Sequence, residues 1–274
     1  MNRKTILSLL AVTAAGAVAF AQEPSDSSWI RFLPHDRIVA DFSGDETAHR
    51  FSAATVFGSH EVPVSVGGTI PWADVEFFGT TVQLSSGASI RARLDPRRSI
   101  GILSTEFSVD FVLVDVPASP DLVVRTGIGH ASHHLGDSGA DSARKSIDYS
   151  RDYLRMAVVY VLGDPGPHVY GGLQYAYNFV VERHLNKPLT FQFGIGGTIL
   201  HLGSAFFLYG GADLKVKEEF AFGTSRRIEL GVEYANGRGR FVRLGLARRA
   251  GLDDRGQFFG KRREETTVGM CIEF

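Results

Sequence analysis

Ile228-Glu229-Leu230-Gly231-Val232-Glu233-Tyr234 puts Ile228, Leu230, Val232 and Tyr234 on one parity, and Glu229, Gly231 and Glu233 on the other. Side chains of an extended chain point alternately to opposite faces, so this period of two reports a strand between two different environments. The next run repeats the scheme, with Val242, Leu244 and Leu246 opposing Arg243 and Gly245. The chain ends on Val268, Met270, Ile272 and Phe274 against Gly269, Cys271 and Glu273. Upstream, Phe191, Phe193 and Ile195 alternate with Gln192, Gly194 and Gly196, and Ile90, Ala92 and Leu94 alternate with Arg91, Arg93 and Asp95.

A soluble β-sandwich also alternates, but its polar face meets bulk water. Here one face is nearly pure hydrocarbon with aromatics near the run ends, and the other mixes both signs of charge with many glycines. That is the pattern of an all-β transmembrane antiparallel β-barrel, apolar toward lipid and polar toward its lumen. Lipid cannot satisfy backbone donors and acceptors, so a sheet in a membrane must close on itself. Gly136 to Ser146 and Ala250 to Glu265 read as long polar loops, whereas Gly163-Asp164-Pro165-Gly166 and Asn236-Gly237-Arg238-Gly239 read as tight turns. Gly203-Ser204 is short as well, so the alternation of long and short connections is uneven. Candidate spans fall near 52–60, 62–70, 76–84, 88–95, 103–114, 121–132, 147–161, 167–179, 189–200, 205–217, 226–235, 239–248 and 264–274. Single-chain bacterial barrels prefer an even strand number. One of the first two spans is therefore assigned to an arm or plug, leaving about twelve strands.

The beginning of the chain points to export. Asn2-Arg3-Lys4 precedes an apolar run and Ala19-Phe20-Ala21 supplies a small-residue exit, the three parts of a secretory signal peptide. The expected organisation is a signal peptide over 1–21, a periplasmic N-terminal arm or plug over 22–51, and the barrel over 52–274. Past the leader no apolar run approaches the roughly 20 residues of a membrane helix. Cys271 is the sole cysteine, which excludes a disulfide scaffold, and a net charge of −1 gives no pull toward nucleic acid.

The most unusual segment is Gly129-His130-Ala131-Ser132-His133-His134-Leu135-Gly136-Asp137-Ser138. It resembles the signature of the bacterial family called domain of unknown function 1207, which runs roughly His-x-Ser-Ser-His-Leu-Gly-Asp-Glu. His130, Ser132, His134, Leu135, Gly136 and Asp137 match, while His133 and Ser138 replace the usual serine and glutamate. Ile147 to Arg155, Asp213-Leu214-Lys215 with Glu218 and Glu219, and Gly256-Gln257-Phe258-Phe259 resemble further patches in order, from about Phe32 to Phe274. The resemblance implies an outer-membrane barrel without implying an activity. The terminal Phe274 is similar to the signal by which outer-membrane assembly machinery recognises its clients.

On a strand, His130, Ser132 and His134 share a side, about 6.5–7 Å apart per step. A serine nucleophile needs an adjacent base and an orienting group. Ser132 with His130 or His134, and with Asp137 or a carboxylate from a neighbouring strand, would make a lipid hydrolase; the His-x-Ser pair also resembles the outer-membrane lipid A deacylases. The plainer reading is a strand-to-loop junction whose polar groups hydrogen-bond the loop. A zinc site from His130, His133, His134 and Asp137 is disfavoured, since His133 and His134 point oppositely, so neither metal nor cofactor is expected. Parity from Arg125, Gly127 and Gly129 turns His130, Ser132 and His134 outward. The inward parity gathers Arg91, Arg93, Arg125, Arg155, Lys215, Lys217 and Arg243 with Asp213, Glu229 and Glu233. Such a ladder either lines a selective narrow channel or pairs charge in a filled lumen. The sequence thus favours a monomeric outer-membrane barrel, serving as a narrow channel or envelope protein, with outer-membrane lipids and the assembly machinery as partners. The lipid hydrolase is the alternative.

Overall fold

A computed structural model describes residues 29–98, 101–136, 149–163, 166–180, 187–235, 241–253, 255, 258 and 261–273. The expected leader, Asp137 and Phe274 lie outside these residues. Twelve strands close one antiparallel ring: β2 (Phe51–Val56), β3 (Val62–Phe77), β4 (Thr80–Asp95), β5 (Gly101–Ser119), β6 (Leu122–Leu135), β7 (Tyr149–Val161), β8 (His168–Val180), β9 (Leu189–His201), β10 (Phe206–Lys217), β11 (Gly223–Ala235), β12 (Phe241–Gly251) and β13 (Glu265–Glu273). A further strand, β1 (Ile30–Phe32), pairs with β3 at Ala73–Val75.

The barrel is inverted relative to a water-soluble core. Ile228 is 63% exposed and Leu230 51%, whereas Glu229 and Glu233 on the opposite parity are 7% and 8% exposed. Hydrocarbon belongs outside when the solvent is lipid, and the ring leaves its wall strands paired on both sides. Inward glycines make room for tyrosines that lie over neighbouring strands: a Cβ on Gly129 would meet the Tyr153 ring, and one on Gly245 would meet the Tyr209 hydroxyl.

The strand total is as read from the sequence, but its bookkeeping is corrected. Span 52–60 belongs to the wall as β2, and neither of the first two spans is an arm. The surplus span, 76–84, straddles a hairpin whose turn residues Phe78 and Gly79 have φ of 49° and 77°. Both values are positive, as a two-residue primed turn requires. The apolar Phe77-Phe78 hid that turn, and β3 and β4 are each longer than the span assigned to them. The strand ends at Phe77 and Thr80, Ser119 and Leu122, Val161 and His168, His201 and Phe206, and Ala235 and Phe241 share one end of the ring. The strand ends that flank the three longest gaps in the strand order, Leu135 and Tyr149, Val180 and Leu189, and Gly251 and Glu265, share the other with the shorter connections 57–61, 96–100 and 218–222, so Gly203-Ser204 falls at the end without long gaps.

The wall position occupied by β1 and β2 is one strand cut in two. Both segments run antiparallel to β3, and β2 meets β3 in only two register pairs, Ser52↔Ser65 and Ala53↔Val64. The chain between them folds into the lumen. Arg37 pairs with Glu273, Arg125 donates to the Val39 carbonyl, and Phe42 stacks on Tyr170 at 3.6 Å. Lys215 binds Asp45 at 2.6 Å, Arg249 binds Glu46, and His49 bonds Asp110 at 3.0 Å. A segment touching inward side chains of β5, β6, β8, β10, β12 and β13 can do so only from inside the ring.

Candidate functional site

The lumen ladder is paired. Arg125 clamps Asp115 at 2.7 and 2.8 Å, Arg155 binds Asp110 at 3.0 Å, and Arg91 binds Glu106 at 3.1 Å. Arg93 spans Glu61 and Glu265, Arg243 spans Glu233 and Glu273, Lys217 faces Glu219, and Arg227 binds Glu229. Asp213 accepts from Tyr170 and Gln192, both at 2.7 Å. These groups sit where inward parity puts them, and each charge taken from water finds a partner there. Two voids beside the inserted segment measure ≈ 100 Å3 and ≈ 90 Å3.

The outer wall holds a different constellation. Alternation along β6 puts Gly129, Ala131 and His133 toward the lumen, where His133 binds Glu106 at 3.0 Å. It puts His130, Ser132 and His134 toward lipid, close to the long-loop end of the ring. His134 Nε2 lies 3.3 Å from Ser132 Oγ, and Phe107 of β5, the register partner of Ser132, meets the His134 ring edge-on at 5.7 Å. In the register of β6 with β7, His130 faces Asp152 and Ser132 faces Ser150; in that of β7 with β8, Asp152 faces Asn178. The side chains follow the register: His130 Nδ1 is 2.7 Å from Asp152 Oδ1, and Asn178 donates to Asp152 Oδ2 at 2.7 Å.

The result is a polar island on a hydrocarbon wall. Ile128 and Leu154 lie one step below it in the same outward columns, 44% and 46% exposed. Both oxygens of Asp152 are engaged, so its carboxylate is fixed, and it fixes His130 in turn. With Nδ1 on the carboxylate, Nε2 is the ring nitrogen that Asp152 does not engage. The expected trio on β6 therefore shares one outward face, while Asp137 lies outside the described residues. Asp152 and Asn178 were not named from sequence. The available signal was parity, because Asp152 shares a face with Leu154, Met156 and Val158 and is the lone carboxylate in that column.

No protein-family model and no curated protein matches the chain in sequence. Solved structures match its fold. The outer membrane phospholipase A of Escherichia coli aligns with TM-score 0.57 at 13% identity, covering 87% of this chain and 95% of that one. An active-site asparagine variant of that protein aligns equally, with TM-score 0.57. The outer membrane phospholipase of Salmonella typhi, a dimer with bound calcium, aligns with TM-score 0.55 at 12% identity, covering 82% and 90%. At such identities the likeness concerns the fold: this chain is a closed twelve-strand outer-membrane β-barrel.

Proposed function

We propose that the outward face of β6 and β7 hydrolyses acyl esters of membrane lipids, with Ser132 as nucleophile. The observation that carries this is the His130–Asp152 contact at 2.7 Å beside an outward serine, near the long-loop end of the wall. Contact alone would choose His134 as base. Orientation chooses His130, because a general base needs a fixed tautomer and ring plane, and of these two histidines only His130 has a carboxylate holding it among the described residues. A turn of Ser132 about χ1 moves its hydroxyl from the resting contact on His134 toward His130. Oγ then attacks the ester carbonyl carbon while His130 Nε2 takes the hydroxyl proton. Collapse of the tetrahedral species expels the lipid alcohol, which receives that proton, and water cleaves the acyl-serine by the reverse sequence.

The fold shared with two outer membrane phospholipases supports a lipid substrate without naming it. A channel is the weaker reading, since residues 36–50 fill the lumen. Residues 129–138 also carry the resemblance to domain of unknown function 1207, which we propose as the family. The test is the mass spectrum of phospholipid and lipid A after incubation with the refolded protein. Deacylated product that disappears in Ser132→Ala supports the assignment. Product formed equally by Ser132→Ala, or no product from either lipid, ends it.

A further inference from the structure

We propose a binding site for the phosphate group of an anionic lipid on the outward face of β11–β13, at the long-loop end. Arg226, Arg248 and Arg262 are exposed there. Each alternates with buried neighbours that fix its direction: Arg226 follows Ser225, Arg248 lies between Ala247 and Arg249, and Arg262 precedes Arg263, whose guanidinium reaches inward to Glu46. The three arginines therefore leave the barrel wall toward the bilayer.

The registers bring them around one point. Arg226 faces Ala250, Arg248 faces Ile228 and Thr266, and Arg262 bridges Leu252. Neighbouring strands stand about 4.8 Å apart and same-face residues about 6.5–7 Å along a strand. Long guanidinium side chains from three strands can thus converge over the small Ala250. Glu264 is the carboxylate within the patch, and it binds Arg248 at 3.1 Å with both side chains more than half exposed. Among the described residues Arg226 and Arg262 have no carboxylate partner, so the patch carries excess positive charge.

Position selects the ligand. Directly below the patch the same face is hydrocarbon, with Ile228, Leu246 and Val268 exposed. A cation on a lipid-facing wall is costly at the membrane centre and nearly free at the interface. The anion present in number at that depth is the lipid phosphate, which matches the planar donor fork of arginine. The opposite end offers no equivalent among the described residues; its exposed Arg31 is held by Asp74. The patch centres five strands from β7 around the ring, so it stands or falls independently of the hydrolase assignment.

Native mass spectrometry of the refolded full chain in neutral detergent tests the site, with phosphatidic acid, phosphatidylcholine and inorganic phosphate as separate probes. The expected result is selective retention of phosphatidic acid, weakened roughly fivefold for each arginine removed in Arg226→Gln and Arg226→Gln/Arg248→Gln. Arg31→Gln should leave retention unchanged. If the double variant fails to refold, as judged by heat-modifiable electrophoresis, Arg226→Gln alone decides, since it removes no ion pair seen in the structure. Undiminished binding in that variant overturns the proposal. So does equal retention of phosphatidylcholine, and inorganic phosphate bound as tightly as the lipid would mean a free-anion site instead.

Discussion

The lumen and the outer face of β6–β8 use the same residue types under opposite conditions. Inside, Arg125 and Asp115 are 4% and 0% exposed, locked in a bidentate pair that also ties the inserted segment to the wall. Outside, His130, Asp152 and Asn178 form a chain of two 2.7 Å hydrogen bonds that stays open at its imidazole end, with Ser132 two residues away. A charge cluster closed on itself has nothing left to give a substrate. A cluster that ends in an imidazole two residues from an outward serine does, and it faces the phase where ester lipids reside.

The sharpest way to break that contrast is Ser132→Ala, for which lipid deacylation is expected to fall on the order of 10³-fold or more with the barrel intact, measured by product mass and heat-modifiable migration. Arg125→Ala should do the reverse, leaving chemistry alone while stranding Asp115. A cost of about 3–5 kcal/mol in the urea unfolding free energy is expected, since removing one member of a buried pair leaves an uncompensated charge. Replacing both, as Arg125→Met/Asp115→Leu, should recover most of it; equal losses in single and double variants would show that the pair itself is not the cause.

Asp152→Asn keeps the shape of the orienting group and removes its charge. Deacylation should fall about 10²-fold with little change in KM, because His130 loses the partner that fixes its tautomer. Asn178→Ala removes one neutral donor from Asp152 and should cost only about two- to tenfold, the worth of one hydrogen bond. His134→Ala should matter least. If it instead abolishes activity while His130→Ala is tolerated, the base has been assigned to the wrong imidazole, and the resting contact at 3.3 Å is the working one.

Much of this molecule was legible from parity. The Ile228–Tyr234 run specified a strand between lipid and a polar interior, and the same reasoning turned His130, Ser132 and His134 outward before any tertiary contact was known. Turn chemistry was less legible. Phe78 in a primed turn breaks the composition rule for such turns, so one hairpin was read as an additional strand. The site was half visible: a His-x-Ser pair stands out locally, whereas its carboxylate lies on the next strand, 22 residues away in sequence.

By itself the sequence determined which face of each strand meets lipid, because side-chain direction alternates with every residue whatever the rest of the chain does. Only the tertiary structure decided which strands are neighbours and in what register. That pairing set Asp152 against His130 and Asn178 against Asp152, and it turned a list of inward charges into matched pairs. It also sent residues 36–50 into the lumen rather than along the wall. Ring closure is a property of all twelve strands together, and no local run of residues encodes it.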